Sequence, residues 1–447
     1  MLAVGGRGRR TDDHPGRPPP FACDTRQRHH GVVTETHGYH TADTDPSGSP
    51  AGPRSAGRPP GRRGAWSRRA LYDRGRRAAE ERWSVPGRLL AALLARPGLV
   101  RALGGDSSPV ERDGRVLHPG VQALLGLATV LDGLANRGGG PPAPEATRDV
   151  FTTTTRLVMP SRTDVHVTGR SIPGPEGAPD LPVRVYRRFG VGVGRPDHRP
   201  AAIAYFHGGG WVVGNLDSHD ASCRLVASVT GCVVVAVDYR LAPEHPFPAA
   251  VEDCLAAYAW IQRNHGALGT VAGAVGVMGD SAGGNLAAVV AQETRPGRRS
   301  ASGDVPPPVT QCLVYPALDA RFATESFRIM GDRFFLTADG MEAFRARYLP
   351  DPAGYEDVRA SPGLCTDLDG LAPALVVTAG FDPLRDEGAA YAGAMASAGV
   401  AVEYRCYDDM VHGFFGMGVV PDCLALATEV CDAMGSLMRR ATPRPDR

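Results

Sequence analysis

From about residue 165 onward the chain alternates short apolar runs with helical stretches, and few architectures accept that rhythm. The apolar runs cover residues 183–186, 202–206, 233–237, 274–278, 310–315, 375–378 and 402–407. Between them, residues 219–230, 249–264, 282–294 and 385–398 read as helices. Strands that alternate with helices predict a mainly parallel sheet covered on both faces. The Gly- and Pro-rich stretches 190–200 and 295–308 read as surface loops.

One of these runs ends in Val277-Met278-Gly279-Asp280-Ser281-Ala282-Gly283-Gly284-Asn285. An apolar strand enters Gly-x-Ser-x-Gly and a helix follows at once, which is the setting of a nucleophile elbow. So sharp a turn leaves no room for side chains at Gly279 and Gly283. It lifts the Ser281 hydroxyl above the sheet and aims a helix N-terminus at it. A second run ends in Tyr205-Phe206-His207-Gly208-Gly209-Gly210-Trp211. Acyl transfer builds negative charge on a carbonyl oxygen, and backbone N–H groups must await it. Glycines let the backbone come close, so Gly209, Gly210 and Ala282 are the expected donors. Gly208 supports the motif, and His207 is expected to fix the loop through its ring nitrogens. A phosphate-cradling loop is the alternative, but no Gly-Lys-Ser/Thr or G-x-G-x-x-G pattern completes it.

When such an elbow tops a parallel sheet, the chain order is serine, acid, histidine. Thirteen histidines are present, and His412 alone lies beyond Ser281. It follows the last strand, in Met410-Val411-His412-Gly413-Phe414. The acid belongs between them at a strand exit, and Asp382 of Phe381-Asp382-Pro383-Leu384-Arg385-Asp386 is placed there. Asp386 and Glu387 are expected to favour the N-terminus of the next helix. Asp408 and Asp409 lie close to His412 in a loop.

With these motifs in order, the chain resembles the hormone-sensitive-lipase-like esterases and lipases, in the branch with Gly-Asp-Ser-Ala-Gly-Gly at the elbow. The likeness includes the segments 207–211, 238–245, 247–250, 382–387 and 412–414 and covers roughly residues 110 to 440. It implies an α/β-hydrolase fold, a triad of Ser281, Asp382 and His412, and an oxyanion hole in the His-Gly-Gly-Gly loop. It also implies a small helical cap, here residues 85–140 with a contribution from 319–360, over a catalytic domain spanning 141–447. The expected substrates are small carboxylic esters of short or medium acyl chain. A specialised secondary-metabolite ester or lactone stays open. So does a ligand receptor on a hydrolase scaffold, as the plant gibberellin receptors of the family are. Trp211, Phe334, Phe335 and Phe414 are candidates to line an apolar pocket. Two features depart from the pattern: Asp409 stands where glycine is common, and the chain has an Arg-rich N-terminus.

That N-terminus bounds the rest. Residues 1–80 hold fifteen arginines against eight acidic residues, although the whole chain is near neutral at +1. Residues 1–84, rich in Arg, Gly and Pro, have too few large apolar side chains to offset ordering entropy and are expected to be a disordered tail. Aromatics are too sparse there for stacking on bases, so no nucleic-acid partner is expected. Lysine is absent throughout, which excludes a lysine Schiff base. The nine cysteines are scattered with no Cys-x-x-Cys pair, so no metal site is expected, and no cofactor. Reduced thiols and the lack of an apolar run of ~20 residues suggest a cytoplasmic protein with no membrane span. A homodimer is one open assembly.

Overall fold

The computed structural model describes residues 81–94, 96, 108–135, 144–191, 199–298 and 305–442, and of 130–135 the helix alone. The expected tail therefore falls outside the described residues except at its end, where Glu81–Arg82 pairs antiparallel with Ser161–Arg162. Parts of both expected surface loops lie outside them as well.

Eight strands form the central sheet: β1 (Val165–Ile172), β2 (Leu181–Arg188), β3 (Ala202–Phe206), β4 (Val233–Val237), β5 (Val275–Asp280), β6 (Gln311–Val314), β7 (Ala374–Phe381) and β8 (Val402–Val411). Their order is β8-β7-β6-β5-β3-β4-β2-β1. Pairing is parallel from β8 through to β4. It is antiparallel where β2 meets β4 and where β1 meets β2. The family's fold expectation is met, and the antiparallel edge is added to it. β1 was not foreseen because its outward positions are polar and most of it is exposed.

Ten helices position the site: α1 (Val85–Leu94), α2 (Pro119–Ala135), α3 (Pro144–Val158), α4 (Asp220–Thr230), α5 (Ala249–Arg263), α6 (Ala282–Glu293), α7 (Glu325–Met330), α8 (Ala338–Tyr348), α9 (Arg385–Ser397) and α10 (Pro421–Ala441). The strand period of two feeds two cores. Ala202, Ala204 and Phe206 of β3 pack on one face with residues of α5, α6 and α9. Ile203 and Tyr205 pack on the other with residues of α4 and α10. Buried on both faces, β3, β4, β5 and β6 accept apolar side chains at nearly every position. Among the described residues no helix is long and apolar enough to cross a membrane.

Candidate active site

Four strands end at one edge of the sheet, and each hands over directly to a motif residue. β3 leads into His207, β5 into Ser281, β7 into Asp382 and β8 into His412. Parallel pairing is what brings these four exits together.

Ser281 has φ 56° and ψ −120°, a region that residues with a Cβ avoid. The turn holds because its neighbours leave no alternative. A Cβ on Gly279 would run into the Gly283 carbonyl, and one on Gly283 would run into the Phe206 carbonyl. Ser281 N–H donates to the Val314 carbonyl of β6 at 2.9 Å, and α6 begins at the next residue. The helix N-terminus thus faces the hydroxyl.

Ser281 Oγ lies 2.9 Å from His412 Nε2, and His412 Nδ1 lies 2.8 Å from Asp382 Oδ2. A carboxylate can only accept, so Nδ1 carries the proton and Nε2 is left to accept from the serine. Asp382 is fully buried, and its second oxygen accepts the Leu384 N–H at 2.9 Å. Tyr315 supports the histidine ring from 4.6 Å.

Facing the serine, Gly209 (φ 121°) and Gly210 (φ 58°) adopt conformations suited to glycine. The N–H groups of Gly209, Gly210 and Ala282 donate to no protein acceptor among the described residues. Gly208 is required for another reason: a Cβ there would strike the Asp280 carboxylate. Asp280 Oδ1 accepts from the Tyr205 hydroxyl at 2.7 Å and from Gly208 N–H at 3.3 Å. His219 Nε2 is 3.5 Å from its other oxygen. Burial works to raise the Asp280 carboxyl, but His219 and the Tyr205 hydroxyl outweigh it and hold the group below its ordinary value. His207 is sunk by burial to about 3 and is therefore neutral across the useful pH range. Its ring stacks on Tyr239 at 4.3 Å, and Nδ1 is 2.8 Å from the Gly208 carbonyl. The expectation that both ring nitrogens fix the loop is corrected, because Nε2 has no hydrogen-bond partner among the described residues.

A cavity of about 470 Å³ opens above Ser281. Its walls are mostly apolar and include Leu124 and Leu125 of α2, Phe151 of α3, and Met341 and Phe344 of α8. Phe344 presses on the loop of residues 208–210, since a Cβ on Gly210 would come within 2.5 Å of its ring. Trp211 and Phe335 line the cavity as expected. Phe334 and Phe414 do not. They are buried in the core, Phe334 edge-on to Phe381 and Phe414 edge-on to Tyr315.

Residues 203–416 match the alpha/beta hydrolase fold family. The carboxylic ester hydrolase LipN of Mycobacterium tuberculosis is 42% identical over 313 residues, 68% of this chain and 78% of that protein. The chain belongs to the hormone-sensitive-lipase-like esterases of the α/β-hydrolase fold. The ethyl acetate hydrolase of Pseudomonas putida is 40% identical, over 54% of this chain and 73% of its own length. Among solved structures, an ester hydrolase from the metagenome of Lake Arreo, complexed with a bipyridine phosphonate derivative, is 36% identical. It has a TM-score of 0.65 and covers 72% of this chain and 98% of that one.

Sequence reasoning missed several residues of this hormone-sensitive-lipase-like site. Arg148 of α3 donates to the Val212 carbonyl at 2.8 Å and to the Ala242 carbonyl at 2.9 Å. It also pairs with both oxygens of Glu244, at 2.9 and 2.7 Å, and this holds the Glu244 carboxyl at about 2. Glu244 belongs to the segment 238–245 of the family likeness, whereas Arg148 stands in α3, which no motif or apolar run marks. Asp386 and Glu387 serve more than the helix N-terminus. Asp386 accepts the Ser326 N–H at 2.8 Å and Glu387 the Leu318 N–H at 2.6 Å.

Proposed function

We propose that the protein hydrolyses small carboxylic esters through an acyl-enzyme on Ser281, with His412 as general base and Asp382 as its orienting acid. The observation that carries this is the continuous chain from Ser281 Oγ through His412 to the buried Asp382. Ser281 attacks the ester carbonyl while His412 Nε2 takes its proton. The oxyanion meets the amides of Gly209, Gly210 and Ala282. His412 then protonates the leaving alcohol and afterwards activates water. Asp382 holds the tautomer and stabilises the charged imidazole. His207 and Gly208 act behind the oxyanion loop and touch no reacting atom.

Short to medium acyl chains suit a mostly apolar cavity of this size, which is in the ~300–1,000 Å³ range of small-molecule sites. A relative named for ethyl acetate hydrolysis favours the short end. Residues 85–140 and 319–360 belong to a cap in this reading, supported by the cavity walls that α2 and α8 supply. The unforeseen α3 shares that role. A cytoplasmic location fits the eight described cysteines, all free thiols. A complete Ser–His–Asp set argues for turnover over a receptor role.

A panel of p-nitrophenyl esters from acetate to laurate tests the substrate class, with the best rates expected at the short and middle lengths. Ser281→Ala should abolish hydrolysis and leave the fold intact. A fluorophosphonate probe should label the wild type at Ser281. Turnover by Ser281→Ala well above buffer removes the mechanism.

A further inference from the structure

The sheet does not by itself fix the spacing between Asp382 and His412. Where β7 runs beside β8, the ladder passes from Ala379 opposite Tyr407 directly to Phe381 opposite Val411. Asp408, Asp409 and Met410 therefore bulge past Gly380, just before the two side chains emerge. Gly380 has to be glycine, because a Cβ there would strike the Asp408 backbone. Such irregularities re-aim side chains and locally release a strand from its ladder. Something else must hold the bulge.

That support comes from a hairpin some three hundred residues earlier. Glu111–Arg112 pairs antiparallel with Arg115–Val116 across a turn at Asp113 and Gly114. Asp113 has φ 53°, a left-handed conformation that persists when surrounding contacts over-determine it. Its Oδ2 accepts from Arg115 Nη1 at 2.7 Å and from Arg385 Nη1 at 2.8 Å. Arg385 follows Asp382 by three positions, and Nη1 also reaches the Gly380 carbonyl at 3.3 Å. Arg115 Nε donates to Asp408 Oδ1 at 2.9 Å, inside the bulge. The His118 N–H donates to the Asp409 carbonyl at 2.9 Å. Both arginines are buried and each has a second carboxylate, Asp408 for Arg115 and Asp386 for Arg385, so Asp113 Oδ2 is the acceptor that joins the two ion pairs across this seam.

We propose that Asp113 is a positioning residue for the triad: through Arg385 and Arg115 it sets the distance between the loop of Asp382 and the bulge ahead of His412. This rests on the esterase reading. It adds one residue outside the family-matched span of residues 203–416, Asp113, to those that position the triad.

The full chain is assayed with p-nitrophenyl butyrate. Asp113→Asn keeps the side-chain shape and removes the charge. A misplacement of about an ångström at a catalytic group costs up to roughly a hundredfold, so kcat should fall about ten- to a hundredfold with KM within about twofold. Fluorophosphonate labelling of Ser281 should slow in parallel. Glu111→Gln makes the same charge change on the same hairpin and should leave kcat unaltered. If Asp113→Asn does not melt cooperatively, Asp408→Asn, which removes the charge that faces Arg115 inside the bulge, carries the same test with a smaller loss. An unchanged kcat in the folded variants, a rise confined to KM, or an equal loss in Glu111→Gln overturns the proposal. A wild type that neither hydrolyses the ester nor takes the probe overturns the esterase reading instead. Hydrolysis by wild type with equal labelling of Asp113→Asn overturns only the bridge.

Discussion

Asp382 and Asp386 stand one helical turn apart and meet different partners. Asp382 faces His412 at 2.8 Å, whereas Asp386 accepts from Arg385 Nε at 2.7 Å and from the Ser326 N–H at 2.8 Å. Asp382→Asn should leave the oxyanion loop in place and lower kcat by a factor on the order of 10³–10⁴, since it upsets the tautomer. Asp386→Asn should instead weaken the hold on α7 and shift stability more than kcat. Asp409, exposed, is the mild control. Steady-state kinetics beside thermal melts check all three, and a crippled Asp386→Asn with a near-normal Asp382→Asn would reassign the acid. His207 adds no ionisation to the acid side of the rate profile, because burial keeps it neutral down to about 3. The triad candidates were legible because chain order left one histidine beyond Ser281. Asp113 was not, because nothing local marks a carboxylate that bridges the neighbouring Arg115 to Arg385, hundreds of residues away.

At the scale of elements, the apolar runs 202–206 and 233–237 coincide with β3 and β4, whereas the run 375–378 covers half of β7. An apolar run buried on both faces is its own signal. α3 gave no such signal. Its sequence carries four consecutive threonines, and it packs through one face against the site. Tertiary contact, above all Arg148, holds it there. That makes a prediction. Arg148→Ala removes bonds to Val212, Ala242 and Glu244 together, and should cost about 1–3 kcal/mol, as loss of charged hydrogen bonds does. The same change frees a cavity wall, so KM for the preferred ester should rise while Ser281 remains reactive to fluorophosphonate. Unchanged stability and KM would show α3 to be held by its apolar face alone.

Across the whole molecule, the start of α9 is where distant segments are tied to the sheet. Arg385 reaches the early hairpin through Asp113, Asp386 reaches α7 through Ser326, and Glu387 reaches the chain leaving β6 through Leu318. Glu387 sets the pH response of this junction. Burial, with Asp319 and Asp382 nearby, pushes its carboxyl well above the ordinary value, against the opposing pull of the Leu318 N–H. Below the ordinary carboxyl value both folded and unfolded chains hold the proton, and the contribution to stability is intact. As pH climbs past that value the unfolded chain releases its proton first. Folding then requires proton uptake, and stability declines until the folded value is passed. Glu387→Gln cannot ionise. It keeps an oxygen for Leu318 and carries a fixed cost for its altered second atom, and that cost cancels when melts are compared across pH. The melting temperature of the variant minus that of wild type should therefore grow more positive as pH rises from about 5 to about 9. A difference that stays flat over that range would mean that Glu387 is ionised in the folded protein at an ordinary pH, and that this junction is held by charge.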